Sequence, residues 1–360
     1  MGKLIQEGAR GMNKRINGLN FIRIIGMTAI LLFHARLIYG FHIGVAWVDE
    51  LIFIGAIFVT VFFMLSGFGL RKSNTSLSIR DKDGMKKYLK KRILAIYPLF
   101  LLLTIVALLF QFRVMDSIEE TLLRLPIQFS MLHILFGKEM HGFLFNDNCW
   151  YISALFVLYL LFPFLNTFVN RLRVRAKIVL CIVLWLLSFG IYAFFVYETE
   201  QVFLDYYPNP FLRIPEFLIG MLLADLSESM DEKWLGGGKY CGVIVASTSV
   251  FATVCLYLLR PYFMLETNLY NLVVIPCTAM IFLCVANWDW LNRIGSTKFV
   301  RWLAGLGLEM YLCQSFATLT LTLVKVDGRW DELWFIGLTV VFAVVVNTGG
   351  KIVRKRMARE

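Results

Sequence analysis

The sequence predicts an all-α membrane protein, a polytopic bundle of about ten transmembrane helices with both termini in the cytoplasm. Three observations predict it. The 360 residues are 59% hydrophobic and only 17% charged, whereas a soluble domain averages about half apolar and about a quarter charged. The apolar residues are gathered into runs of about 20, the length a helix needs to cross the hydrocarbon core. Between the runs, basic loops alternate with acidic ones.

The runs assigned as spans are 19–40, 51–70, 93–112, 150–169, 178–197, 211–227, 240–260, 268–287, 302–324 and 333–350. The first contains Arg23 and His34 and is too long for a signal peptide; with no small-residue cleavage site, it is expected to remain as a span. The second ends in Ser66-Gly67-Phe68, whose small residues permit close backbone approach. The fourth opens on Trp150, a residue type that anchors helices at the interface. The sixth is short and holds Arg213 and Glu216. The ninth carries Glu309, Tyr311 and Gln314. A further stretch, 122–136, is broken by Pro126 and reads as an interfacial or re-entrant segment.

Charge bias orients the bundle. Cytoplasmic segments hold Lys3, Arg10, Lys14 and Arg15, then the loop 71–92 with nine basic residues against two acidic. Arg171, Arg173, Arg175 and Lys177 follow, then Arg293, Lys298 and Arg301, and a tail with Lys351, Arg354, Lys355, Arg356 and Arg359. Outer loops carry Asp49 and Glu50, then Glu198, Glu200 and Asp205. The loop 226–239 is the exception, mildly acidic where a basic one is expected.

The net charge of +11 does not indicate nucleic acid, because the basic residues sit in short loops between apolar runs. Seven scattered cysteines, five of them (Cys181, Cys255, Cys277, Cys284 and Cys313) inside apolar runs, give neither a disulfide framework nor a zinc spacing. No P-loop, GxSxG elbow, HExxH or other metal-ligand cluster is present, so no metal is expected. There is no internal repeat, and Gly236–Gly238 reads as a loop hinge. Residues 1–360 are therefore expected to form one membrane domain without a soluble extension.

Ionisable residues inside spans cost about 2.5–3.5 kcal/mol on insertion scales and usually face the bundle interior or a wet cavity. Arg23 and His34 are eleven residues apart. At about 100° per residue that places both on one helix face, roughly 16 Å apart along the axis. An anionic ligand entering from the cytoplasm can meet Arg23 and send its reactive end toward His34. The alternative is a snorkelling arginine and a histidine satisfied by a backbone carbonyl. Arg213, Glu216, Phe217 and Gly220 form one stripe, in which an Arg–Glu pair locking two helices is the plainer reading. Glu309, Tyr311 and Gln314 are a similar case. Asp147, Asn148 and Trp150 stand at the outer mouth of the fourth span.

Together these residues resemble the acyltransferase-3 family of bacterial integral-membrane acyltransferases. The first-span Arg, ten residues, then His is here Arg23-IIGMTAILLF-His34. VFFMLSGFGL (61–70) is similar to the family's FF-x-LSGF segment, and KRILAIYP (91–98) to its basic entry to the third span. CWYISALFVLYLLFP (149–163) resembles the family's fourth span; RIPEFLIGM (213–221) and LEMYLCQ (308–314) match later segments in order. The chain departs from the pattern at three positions. Leu155 stands where many members have Glu, Ala95 replaces the third basic residue of the third-span motif, and Gln314 replaces the closing His of the ninth. A branch with W-Y-x-x-A-L and L-E-x-Y-L segments looks most similar.

The resemblance implies acyl transfer, usually of acetyl, from acetyl-CoA or another acyl-CoA as donor substrate to a hydroxyl of a cell-envelope glycan or lipid-linked sugar. It implies a multi-pass protein of the bacterial cytoplasmic membrane, surrounded by lipid, with no permanently bound cofactor; self-association into a homo-oligomer is left open. His34, Arg23, Glu216 and Glu309 are then candidate catalytic residues. Arg23, Ser66, Arg71, Lys72, Lys91 and Arg92 are candidates for the donor, and Asn148, Trp150, Arg213, Tyr311 and Gln314 for the acceptor. On residue physics alone, a glycan or small-molecule transporter or flippase, or an assembly subunit of a polysaccharide complex, fits the same polar residues.

Overall fold

The computed structural model describes residues 16–111, 118–135, 148–198, 208–229, 239–259, 275–324 and 330–357. Lys3, Arg10, Lys14, Arg15, Asp147, Glu200, Asp205, Gly236–Gly238 and Arg359 lie outside them. The described residues form helices and no strand. In order these are α1 (Leu19–Tyr39), α2 (Ala46–Ile52), a 3-10 turn (Phe53–Ala56), α3 (Ile57–Ser73), α4 (Lys82–Gln111) and α5 (Ile118–Phe129). A second 3-10 turn (His133–Leu135) precedes α6 (Cys149–Val169), α7 (Val174–Glu198), α8 (Ile214–Ser229) and α9 (Lys239–Leu259). The chain continues through α10 (Ile275–Asn287), α11 (Asp289–Gly295), α12 (Lys298–Ala304), α13 (Gly307–Val324) and α14 (Asp331–Met357).

The chain is an all-α membrane helix bundle. Six helical stretches among the described residues are long and apolar enough to cross a bilayer: Leu19–Tyr39, Ala46–Ser73, Lys82–Leu109, Cys149–Val169, Val174–Ile191 and Asp331–Lys351. Helices α9 and α10 carry shorter apolar stretches, Ile244–Cys255 and Ile275–Asn287.

Three elements differ from the sequence reading, each for a local reason. Helix α4 starts at Lys82, well before the apolar run at 93, because the Asp81 carboxylate accepts the Gly84 N–H at 2.9 Å and caps a helix of strong formers. Much of the expected basic loop is therefore helical. Pro126 does not break the 122–136 stretch. It lies near the end of α5, which continues to Phe129 before the chain turns. The single run 302–324 is two helices, since Gly305 closes the end of α12 by donating to Arg301 and Trp302 carbonyls and α13 starts at Gly307.

Helix α8, only 16 residues long, occupies the interior and packs against α3, α6, α7 and α10. Residues 215–224 are all buried. Its crossing with α3 is a backbone contact. A Cβ on Gly67 would lie 2.0 Å from the Phe217 carbonyl oxygen, and one on Gly220 2.0 Å from that of Met64. Two glycines, one from each helix, thus set the interaxial distance, the way small residues bring membrane helices together.

Gly220→Ala should destabilise the fold by about 1–3 kcal/mol, the usual cost of overpacking. Thermal unfolding of detergent-solubilised protein checks it; an unchanged midpoint would refute the tight crossing.

Candidate active site

A cavity of about 920 Å3 opens between α1, α3, α4, α6, α12 and α13. That volume is within the range of small-molecule and cofactor pockets, about 300–1,000 Å3. One wall is the stripe of α1 that carries Arg23, Met27 and Ile30, positions that recur on one helix face. The facing walls supply Ser66 from α3, Tyr151 and Tyr159 from α6, and Tyr311 and Gln314 from α13.

At one end the cavity is basic. Arg23, Lys72, Lys91, Arg92 and Arg301 all line it, and among the described residues no carboxylate does. These cations come from α1, α3, α4 and α12, whose ends the charge bias assigns to a single membrane face. Arg23 is held by Asn20, which accepts from Nη1 at 2.8 Å and whose own amide donates to the Gly295 carbonyl at 3.0 Å. The Arg92 guanidinium lies between the rings of Tyr88 and Tyr159, 5.6 and 5.9 Å from their centroids. Its Nε is buried and has no hydrogen-bond partner. Lys72 also pairs with Glu228 at 2.5 Å, a contact at the exposed rim.

At the other end stands His34, two turns past Met27 along α1. It does not itself line the cavity. Its Nδ1 is hydrogen-bonded to Gln314 Oε1, and Gln314, only 3% exposed, does line it. Tyr311, one turn before Gln314, has its ring centroid 6.4 Å from the imidazole and edges Tyr151 at 5.4 Å. The cavity thus reaches from Arg23 to Gln314, the hydrogen-bonded partner of His34, and not to the imidazole itself.

Other expected site residues are engaged elsewhere. Arg71, expected at the donor, turns away from the cavity. It makes a two-pronged ion pair with Asp225 (2.7 and 2.8 Å), reinforced by donation to Asn166 and Asn170 at 2.7 and 2.6 Å. Lys177 joins the same carboxylate at 2.5 Å, so Arg71 fastens α3 to α6 and α8, and Asp225 in turn ties in α7. Glu216 is fully buried and accepts from Arg213 Nη1 at 2.8 Å; neither lines the cavity. The two residues are one turn apart at the start of α8, so the ion pair lies within one helix and does not lock two; the link to α3 is the Arg213 guanidinium, 5.8 Å from the Phe63 ring centroid. Glu309 faces α14 and accepts from Asn347 at 2.7 Å. Asn148 donates to the Tyr311 carbonyl at 2.8 Å, and Trp150 packs edge-on against Tyr151; both lie behind the cavity wall.

Arg301, Tyr151 and Tyr159 line the cavity without having been singled out from the sequence. Arg301 was counted only as an orienting charge; the signal for it was Gly305, which ends its helix. The tyrosines lie on the fourth span at 151 and 159, two turns apart on one face.

The family model described as "Acyltransferase domain" (acyltransferase-3) matches residues 16–348. Helix bundle, cavity and match together place the chain in a class of multi-pass membrane proteins with an acyltransferase domain. It belongs to the acyltransferase-3 family. "Acyltransferase MdmB" of Streptomyces mycarofaciens is 28% identical over 174 residues, covering 43% of this chain and 42% of that protein. The chain thus matches less than half of that relative's length. No solved structure matches.

Arg71 and Arg301 should separate cleanly. Arg71→Ala leaves Asp225 partly unmatched and should cost about 3–5 kcal/mol of stability, the range for breaking a buried pair. Arg301→Ala should leave the unfolding midpoint within about 2 °C, since surface substitutions fall within ±0.5 kcal/mol. Equal midpoints for the two variants would contradict the assignment.

Proposed function

We propose that this protein is a membrane O-acyltransferase that moves an acyl group, acetyl in the first instance, from cytosolic acyl-CoA to a hydroxyl of a cell-envelope glycan or related acceptor. The observation that carries the reading is the cavity, lined by five cations and, among the described residues, by no carboxylate, and lined also by Gln314, the hydrogen-bonded partner of His34. Membership of the family supports the reaction class, and the helix bundle supports residence in a membrane, which we take to be the bacterial cytoplasmic membrane.

Coenzyme A carries several phosphates. Arg23, Lys91, Arg92 and Arg301 suit them, because guanidinium and ammonium groups make their strongest hydrogen bonds to such anions. The unpartnered Nε of Arg92 is a donor awaiting an acceptor, and a buried unsatisfied donor is costly. With the phosphates at the basic end, the pantetheine arm extends along Met27 and Ile30 and brings the thioester toward Gln314 and His34. The positive-inside rule puts that basic mouth on the cytoplasmic face, where acyl-CoA is made.

At the inner end, the acceptor hydroxyl gives its proton to the imidazole of His34 as its oxygen forms a bond to the thioester carbonyl carbon. The tetrahedral adduct then breaks its C–S bond, and the coenzyme thiolate leaves with the proton from the imidazolium. Among the residues proposed for the acceptor or oxyanion, Tyr311 and Gln314 are on the cavity wall.

The test is acetyl-CoA binding and thiol release by purified protein supplied with an envelope glycan extract. The parent should bind acetyl-CoA and release free CoA when the extract is present; a transporter would do neither. His34→Ala should abolish release yet bind donor within about threefold. Arg92→Ala and Arg301→Ala should each weaken donor binding about tenfold or more, since a hydrogen bond to a charged group is worth about 1.5–3 kcal/mol. Failure of the parent to bind acetyl-CoA, or near-normal turnover by His34→Ala, would overturn the proposal.

A further inference from the structure

We infer that Gln314 is the positioning residue of the His34 base: it fixes the imidazole as the tautomer protonated on Nδ1 and leaves the Nε2 lone pair to receive the acceptor's proton. The inference rests on His34 being the base, as proposed above. Its own observation is the bond between His34 Nδ1 and Gln314 Oε1, made by residues 280 positions apart on α1 and α13. An amide oxygen only accepts, so Nδ1 must carry the hydrogen. In a neutral imidazole with Nδ1 protonated, Nε2 has no hydrogen and is free to act.

Gln314 is held for this task. It is 3% exposed, on the interior face of α13, one turn beyond the Tyr311 carbonyl that Asn148 grips at 2.8 Å. A buried amide locked by packing orients its partner as a buried carboxylate does in the serine-hydrolase triad, but brings no charge.

The surroundings make that neutrality significant. Residues 53–70, which form the 3-10 turn and most of α3, carry no charged side chain, nor do residues 333–350 of α14. Glu309 is the sole charged residue of α13 (Gly307–Val324), and it is bonded to Asn347 of α14. Tyr311 is the titratable group beside the imidazole ring. On α1 itself, Arg36 lies half a turn beyond His34 and donates to the Phe41 carbonyl at 3.1 Å, while Arg23 is about three turns away at the basic end. No other side chain is seen to hold the imidazole by a hydrogen bond among the described residues. When Nε2 takes the hydroxyl proton, the positive charge is shared with Nδ1–H, and the Gln314 carbonyl dipole stabilises it until the proton passes to the leaving thiolate.

The experiment compares variants of equal size in the full-length protein, with acetyl-CoA as donor and a fixed amount of envelope glycan extract. Gln314→Met removes the acceptor atom while keeping the volume; Gln314→Glu keeps a carbonyl-type oxygen able to accept from Nδ1. Gln314→Met should lower kcat by about 10-fold to 100-fold, a part of the 10²–10⁴ that general-base catalysis is worth, with the KM for acetyl-CoA within about threefold. Gln314→Glu should restore kcat to within about tenfold of the parent. A merely structural glutamine would not give this split between kcat and KM, nor the recovery by glutamate. Parent-like kcat in Gln314→Met, or equal losses in the two variants, overturns the inference. Should Gln314→Met unfold at a lower temperature than the parent, Gln314→Leu supplies the same comparison. His34→Ala run in parallel separates the two levels. If it remains active, the base assignment fails; if it is inactive while Gln314→Met turns over normally, the positioning role alone fails.

Discussion

The contact on which the rest of the structure depends is the backbone crossing of α3 and α8. Gly67 meets the Phe217 carbonyl and Gly220 meets that of Met64, so neither helix can carry a side chain there. In a bilayer the lipid tails are as apolar as leucine, and close van der Waals packing is what draws helices together. With α8 pressed against one face of α3, the neighbouring face, with Leu65, Ser66, Gly69 and Lys72, is left to form a cavity wall. The short interior helix thus has a structural task. It fixes the helix that forms the wall, and the cavity keeps its width.

Two populations of buried charge follow from that arrangement. Arg71 and Arg213 each find a carboxylate across or along the crossing, Asp225 and Glu216, at 2.7 and 2.8 Å. Removing one member of such a pair leaves an uncompensated charge in a poorly solvating medium. The cations of the cavity are different. Arg92 lies between aromatic rings, Arg23 is steadied by an asparagine, and among the described residues no carboxylate lines the space they face. Cations that fold the bundle are neutralised within it, whereas these, apart from Lys72 with its Glu228 partner at the rim, present their charge to a space a ligand can enter. Arginine serves both roles because it remains charged in either setting.

Much of this was legible along the chain, because the periodicity of a helix is a local property. Arg23, Met27, Ile30 and His34 fall on one face by arithmetic; the structure puts the first three on the cavity wall and leaves His34 behind it, bonded to the lining Gln314. The tertiary choices were not legible. Nothing near Arg71 announces that Asp225, 154 residues away, will claim it while Arg92 is left free of acid. Gln314 looked like an acceptor contact because its partner, His34, lies 280 residues away. Arg301 sits just ahead of the apolar run 302–324, which reads as one span, although Gly305 within it is a readable stop. The early start of α4 was likewise readable, from Asp81 placed ahead of a run of helix formers.

The broken span also explains how a membrane bundle brings a charge to its cavity wall. A continuous helix over 302–324 would keep Arg301 in line with the axis of α13, at its end and facing the interface. Because the chain turns at Gly305 and Leu306, α12 is a separate helix packed against α1, and Arg301 joins Arg23 on the cavity wall. Non-helical backbone within a membrane protein is tolerated where it is covered by protein or borders a wet cavity, and Ala304, Gly305 and Gly307 do border this one. The same turn starts α13 with its interior face carrying Tyr311 and Gln314 toward α1. One interruption in an otherwise apolar run therefore places a cation at the basic end of the cavity and the histidine's partner at the other.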